Sequence, residues 1–304
     1  MSHSTLFQQR GLSLDRLRSF LLVAEAGGIA KAAGPDAVRQ SQFSRQIGEL
    51  ESFFEVELLR RVGRRTTLTA QGEALARVVR EQFTGLSDFA TECRSAPHRY
   101  ALGAGDSILQ WVVVPRLGQI LKRLANASFA LQNLRSRDIA DALLAAQLDF
   151  GILRAARVRA PLKGVPIGTV RYALFVPKEL WSPRWNRAHE KMMREIPWVT
   201  LGTEGEFLEQ LESAAAKAKI ELNLRLLTDS FPQAARAAMS GAFAAILPAH
   251  ATADPLLKPL HCVAPAWLSP IHRHVMLAWN PRLMKVRSHA DVALAELKRG
   301  LGTL

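Results

Sequence analysis

The chain has 304 residues, enough for two domains, because single hydrophobic cores rarely grow past about 250 residues. Apolar content of 48% and charged content of 22% exclude wholesale disorder. The net charge of +13 invites a nucleic-acid partner, but residues 1–92 hold 12 Lys and Arg against 11 Asp and Glu, and the remainder 28 against 16. DNA binding near the N-terminus would therefore rest on where arginines stand, not on bulk charge.

Residues 14–26, "LDRLRSFLLVAEA", place Leu14, Leu17, Phe20, Leu21 and Ala24 on one helical face. Gly27-Gly28 ends that helix, "IAKAA" makes a short second one, and "GPD" at 34–36 interrupts before a longer helix, "AVRQSQFSRQIGELESFF" (37–54). In it Val38, Phe43, Ile47, Leu50, Phe53 and Phe54 recur mostly every three or four residues. The opposite face opens with Arg39, Gln40, Ser41, Gln42, Ser44, Arg45 and Gln46 before any acid appears. A recognition helix needs this inventory. Gln pairs with the N6/N7 edge of adenine, Arg with O6/N7 of guanine, and Ser with phosphates or bases, while Arg45 reaches either base or backbone. "LLRRVGRRTTLT" then reads as a hairpin around Gly63 with Arg60, Arg61, Arg64 and Arg65 at its tip, placed for phosphates or an adjacent minor groove.

From Ala70 to Arg94 the pattern is helical again. Gly72, Leu75, Val79, Phe83, Leu86, Ala90 and Cys93 form a seam expected to pack on a partner's helix. Beyond Pro97 strands and helices alternate: "YALGAG", a helix through Leu124, "FALQNL", a helix over 137–147, and "DFGIL". A second series follows: "RYALFVP", "WVTL", "LNLRLLT", a helix over 231–240, "AFAAILP", "HRHVMLAW" and a terminal helix from His289. Such alternation predicts a mostly parallel, helix-covered sheet with ligands beyond its C-terminal strand ends. The longest apolar runs stop well short of the ~18 residues that span a bilayer. "MSHSTLFQQRG" lacks the apolar stretch of a secretory signal, and Cys93 and Cys262 make no disulfide framework, so the cytoplasm is the expected compartment.

The stretch from "LRSFLLVAEAGG" through "QSQFSRQIGELE" to "GRRTTLTAQGEAL" resembles the winged helix–turn–helix of LysR-type transcriptional regulators over residues 14 to about 90. "ALLAAQLDFGIL" (142–153) and "SGAFAAILP" (240–248) resemble, more weakly, pieces of that family's effector-binding domain. The resemblance implies an α/β chain in three parts. These are a DNA-binding domain over 12–69, a dimerising linker helix over 70–97, and a two-lobed, periplasmic-binding-protein-like effector domain over 98–304. Lobe I takes 98–166 and 265–304, lobe II 167–264. Carried over by position, Gln40, Ser41, Ser44 and Arg45 fall on the DNA-contacting helix, and Arg64 and Arg65 on the wing; Arg39, Gln42 and Arg61 join them from the polar pattern. Departures stand beside these matches. Gly34-Pro35-Asp36 replaces an apolar last turn, so the second helix should end early, with Asp36 rebuilding the corner as a cap. Arg39 and Ser41 replace a small polar residue and a Pro, and Glu55 replaces a turn glycine.

For the effector, family position gives Asp106 and Ser107 (Gly105 preceding them), although the spacing to Pro115 is one residue longer than usual. It also gives Arg135, Ser136 and Thr203, with Arg154 near the same crevice. Ser before a helix is commonly a cap, which competes with a ligand role at Ser107 and Ser136, and Ser230 opens "SFPQ", a capping box. His261, Cys262, His272 and His274 lack tight metal-ligand spacing, so no metal and no cofactor are expected. No G-x-S-x-G elbow, P-loop or G-x-G-x-x-G appears, which argues against an enzyme. The expected function is a dimeric or tetrameric regulator that binds a dyad-symmetric operator and a small-molecule effector, such as a carboxylate anion. The alternatives are an interaction module that has lost DNA or effector binding, and an enzyme of the α/β domain.

Overall fold

Ser13 starts the first helix by accepting the Arg16 N–H on its hydroxyl at 3.3 Å, and Gly27, at φ 73°, ends it in the left-handed conformation that glycine adopts without steric cost. The structure is a computed structural model. It describes residues 11–63, 65–186, 188–202 and 206–302, with the Arg65 and Asn186 side chains also outside the description. Two units follow from its contacts: residues up to Ala96 with 144–147 and 282–288, and the rest of the chain from Pro97.

The first unit contains α1 (Leu14–Ala26), α2 (Ile29–Ala33), α3 (Ala37–Phe54), the hairpin β1 (Leu59–Val62) and β2 (Arg65–Leu68), and α4 (Ala70–Cys93). Phe20, Val23, Phe43, Ile47, Leu50, Leu58 and Ala76 close one core between α1, α3 and the start of α4. Helix α2 does end early, at Ala33, and Asp36 caps α3 by accepting the Arg39 N–H at 3.0 Å. Glu55 stands left-handed at φ 55°, the strain expected of a side chain where a glycine would rest. Val38 departs from its apolar spacing. It is 80% exposed, because α3 meets the core only from Phe43 onward.

Helix α4 also departs from the expected seam. Gly72 and Val79 are buried within this chain, Val79 to 2% exposure. A Cβ at Gly72 would lie 2.2 Å from the Leu58 carbonyl oxygen, so the helix can approach the hairpin there only as glycine. The exposed apolar residues are Val78, Leu86 (55%) and Phe89 (65%). Farther along, Asp88 is buried with Arg287 at 3.2 Å and accepts the Ser288 N–H at 2.8 Å. Arg80 reaches Glu25 and the Ala145 carbonyl.

In the second unit β3 (His98–Ala104) leads into α5 (Asp106–Ile108), a π-helical turn (Leu109–Val113) and α6 (Val114–Arg123). The wide turn absorbs the extra residue before Pro115 without breaking the helix. Then come β4 (Ala127–Asn133), α7 (Ser136–Leu144), β5 (Phe150–Arg154), β6 (Lys163–Val170) and β7 (Tyr172–Val176). These are followed by α8 (His189–Glu195), β8 (Trp198–Leu201), α9 (Glu206–Lys217), β9 (Leu224–Thr228) and α10 (Phe231–Met239). The chain continues through β10 (Ala244–Pro248), β11 (His261–Val263), β12 (Arg273–Trp279), α11 (Pro281–Met284) and α12 (Ala290–Leu301).

The strands form two five-stranded sheets, β4-β3-β5-β12-β6 and β11-β7-β10-β8-β9. The expectation of mostly parallel strands does not hold. In the first sheet β3 runs parallel to β4 and β5, but β12 is antiparallel to β5 and β6. In the second, β8 is parallel to β9 and β10, but β7 is antiparallel to β10 and β11. The antiparallel pairs arise because the chain crosses between lobes twice, from β6 to β7 and back from β11 to β12. Strand β6 stays in the first sheet through Val170, four residues past the expected lobe boundary at 166, because its pairing with β12 runs out to Val170 opposite Arg273.

Candidate DNA-reading helix and interlobe cavity

The polar face of α3 points away from the core that holds Phe43, Ile47 and Leu50. Arg39, Ser41, Gln42, Ser44 and Arg45 are all exposed. The Arg39 guanidinium lies 5.3 Å from the Phe43 ring centre, which steadies a flexible cation on an aromatic rim. Gln40 is half-buried, and its amide nitrogen lies 3.5 Å from the Gly34 carbonyl, so the unusual corner holds that side chain back. The hairpin pairs Arg60 with Thr67 and Arg61 with Thr66, both arginines exposed, while Leu59 and Leu68 face each other over the core. Arg64 and the Arg65 side chain lie outside the described residues; Arg65 pairs in the ladder with Val62. Helix and hairpin thus each expose donors and cations while their apolar residues pack on the shared core.

The second site is a cavity of about 790 Å³ between the two sheets. Asp106, Ser107, Arg135, Ser136 and Arg154 all line it; Thr203 lies outside the described residues. Their roles differ. The Ser136 hydroxyl accepts the Arg154 N–H at 3.2 Å, fixing the end of β5 rather than standing open to a ligand. Ser107 is nearly buried, with its N–H turned to the Asp106 carboxylate. Burial pushes the Asp106 carboxyl above its ordinary value, while hydrogen bonds from the Ser107 N–H, the Ser230 side chain and the Phe231 N–H pull the other way. Asp106 therefore ties the first lobe to the N-terminus of α10, where Ser230 caps by accepting the Gln233 N–H at 3.3 Å.

Arg154 donates from Nη1 to Glu206 on α9, an ion pair across the cavity that holds the Glu206 carboxyl below its usual range. Arg273, opposite Val170 where the chain crosses between lobes, was not legible as a site residue. Its guanidinium sits 5.8 Å from the Tyr172 ring centre and 5.6 Å from that of Phe207. Its Nε is buried with no hydrogen-bond partner, and desolvation pulls its pKa below the usual arginine value. The sequence signal is a cation opening a strand that is apolar from Val275 onward. Away from the cavity, the His272 and His274 rings meet edge-on at 5.2 Å, and His274 pairs through Nδ1 with the Thr169 hydroxyl at 2.9 Å. His261 stacks on Trp181, and Cys262 is a free thiol.

A helix–turn–helix unit with its hairpin, followed by a two-lobed α/β unit with an interlobe cavity, defines the architectural class of the chain. Two family models locate the chain within that class. "Bacterial regulatory helix-turn-helix protein, lysR family" matches residues 14–73, and "LysR substrate binding domain" matches residues 95–297. The chain belongs to the LysR family.

The regulator DgdR of Burkholderia cepacia is 31% identical over 114 residues, which is 36% of this chain and 38% of that protein. A Pseudomonas aeruginosa relative is 29% identical over 185 residues, 59% of this chain and 58% of that one. The chain thus spans about half the length of these curated relatives. Among solved structures, a full-length OxyR variant from Pseudomonas aeruginosa superposes with a TM-score of 0.65 at 17% identity, covering 95% of this chain and 94% of that one. Full-length CbnR in complex with its target DNA gives 0.55 at 20% identity, covering 92% and 100%. At these identities the likeness concerns the fold.

Proposed function

We propose that the chain is a sequence-specific DNA-binding transcription regulator whose activity is modulated by a small molecule held in the interlobe cavity. Residues 12–69 read DNA through Arg39, Gln40, Ser41, Gln42, Ser44 and Arg45 on α3, with Arg61, Arg64 and Arg65 on the wing gripping the backbone. Residues 70–97 pair two protomers, so the operator is a dyad; residues 98–304 form the effector domain, with its crossings at Arg171 and 264–272. The assembly is a cytoplasmic homodimer or homotetramer, and it carries out no catalysis. No described helix is long and apolar enough to cross a membrane.

One observation carries the DNA reading: Arg39, Ser41, Gln42, Ser44 and Arg45 of α3 are exposed, while Phe43, Ile47 and Leu50 lock the helix into the core. Fluorescence anisotropy tests it, using a duplex selected from random sequence and a scrambled control at physiological salt. The reading expects at least a thousandfold preference for the selected duplex, within the range of specific over non-specific binding. Equal affinity for both would overturn it. The effector reading takes a small carboxylate as the ligand, with Asp106, Ser107, Arg135, Ser136, Arg154 and Thr203 around it. Support comes from the arginines gathered at the start of α7, where free N–H groups and the helix dipole favour an anion.

A further inference from the structure

Of the arginines that line the cavity, Arg154 is engaged by Glu206, and Arg135, Arg137 and Arg157 are exposed to solvent. Arg273 is different. It is half-buried, its Nε has no partner, and no carboxylate forms an ion pair with it among the described residues. Its surroundings are the rings of Tyr172 and Phe207, which with Phe231 form a cluster with centres 4.5 to 5.8 Å apart. Val170, Leu201 and Val275 complete an apolar wall. A guanidinium presented to an apolar pocket without its counter-anion is expensive unless something supplies that anion. A planar carboxylate matches the arginine fork, and the Tyr172, Phe207 and Phe231 rings beside it offer a compact apolar body a surface to pack on.

Glu206 is the carboxylate whose charge acts on Arg273. It opens α9 in the second lobe, hydrogen-bonds Arg154 in the first, and feels Arg273 and Arg157 through space. It occupies Arg154 much as a ligand's carboxylate would.

Resting on the cavity as the effector site, we propose that Arg273 receives the carboxylate of an apolar monocarboxylate effector, and that Glu206 is the built-in anion with which that carboxylate competes. Binding then sits where β6 and β12 cross between the lobes and loosens the Arg154–Glu206 tie, so occupancy is read as a change in how the lobes are held together. The body of the ligand packs on the Tyr172, Phe207 and Phe231 rings.

The test uses the full chain with acetate, benzoate and cyclohexanecarboxylate as anionic probes and benzamide as the neutral counterpart of benzoate, followed by calorimetry and thermal shift. Benzoate or cyclohexanecarboxylate should bind and benzamide should not. Arg273→Gln should weaken the carboxylate at least tenfold, and Arg273→Lys, which keeps the charge and guards against a folding defect, should weaken it severalfold. Glu206→Gln should strengthen it at least threefold, because the internal competitor is gone. Unchanged affinity in Arg273→Gln, weaker affinity in Glu206→Gln, or failure of every carboxylate to bind overturns the proposal. Leu201→Trp, which fills the cavity, separates this failure from that of the site itself. Binding by benzamide alone that Leu201→Trp abolishes keeps the cavity and removes the anion. Carboxylate binding that survives Leu201→Trp lies elsewhere and removes both.

Discussion

Acid should loosen the effector domain through one histidine. His250 follows β10 in a short 3-10 turn, with its ring edge-on to Trp111 at 6.0 Å, its Nε2 buried without a partner, and the Ser107 backbone in hydrogen-bond contact. Desolvation, helped by the nearby Arg116 charge, lowers its pKa from 6.5 to about 4 despite the opposing hydrogen bond to Ser107. The unfolded chain therefore takes up this proton first as the pH falls. The contribution is fully present above about pH 6.5 and is lost progressively down to about pH 4, amounting to about 3 kcal/mol in all. His250→Gln keeps a polar side chain that can serve Ser107 but cannot titrate, so the acid sensitivity should fall by about that amount. Urea unfolding at pH 7.5 and pH 4.5, compared between wild type and variant, reads the difference directly. Imidazole NMR gives the folded-state pKa in the same samples. A His250 that titrates near 6.5 in the folded protein, or an identical acid slope in both proteins, refutes the reasoning.

The remaining outcomes follow from the same contacts. Arg45→Ala should cost ~1–3 kcal/mol at a base edge and flatten discrimination between duplexes, whereas Arg61→Ala should weaken all sequences alike and reduce the salt slope by about one, both read by anisotropy. Leu86→Asp combined with Phe89→Asp should halve the oligomer mass in light scattering, since these are the most exposed large apolar residues of α4; an unchanged mass would show that α4 does not face a partner. Asp88→Asn should destabilise by about 3–5 kcal/mol in urea, because it strands the buried Arg287. Glu55→Gly should raise the melting temperature of the DNA-binding unit by relieving about 1 kcal/mol of left-handed strain.

The helix–turn–helix was legible because its signals are local. Asp36 before a helical run reads as a cap whatever lies elsewhere, and Phe43, Ile47 and Leu50 announce their own buried face. The slips there, Leu14 and Val38, both exposed, came from extending the spacing to first turns that reach past the core. Strands β6 and β11 were not read, since "KGVPIGTV" carries a proline and two glycines and "HCV" is three residues long; both gain their identity only by pairing with β12 and β7. Helix α9 had readable spacing in Phe207, Leu211 and Ala215 and was passed over. The cavity was half legible. Asp106, Arg135 and Arg154 stand at strand ends, which topology marks as ligand positions, but Glu206 and Arg273 meet Arg154 from positions more than 50 residues away. Only the two crossings between lobes bring them together.

Genome-wide capture of DNA by the purified full chain tests the central claim most directly. Fragments are sequenced after binding at physiological salt, with an Arg45→Ala protein in parallel. The account predicts discrete peaks upstream of genes that share an inverted repeat, its half-sites on one face of the duplex, and loss of those peaks with Arg45→Ala. Uniform recovery across the genome, or peaks that Arg45→Ala leaves unchanged, would contradict it.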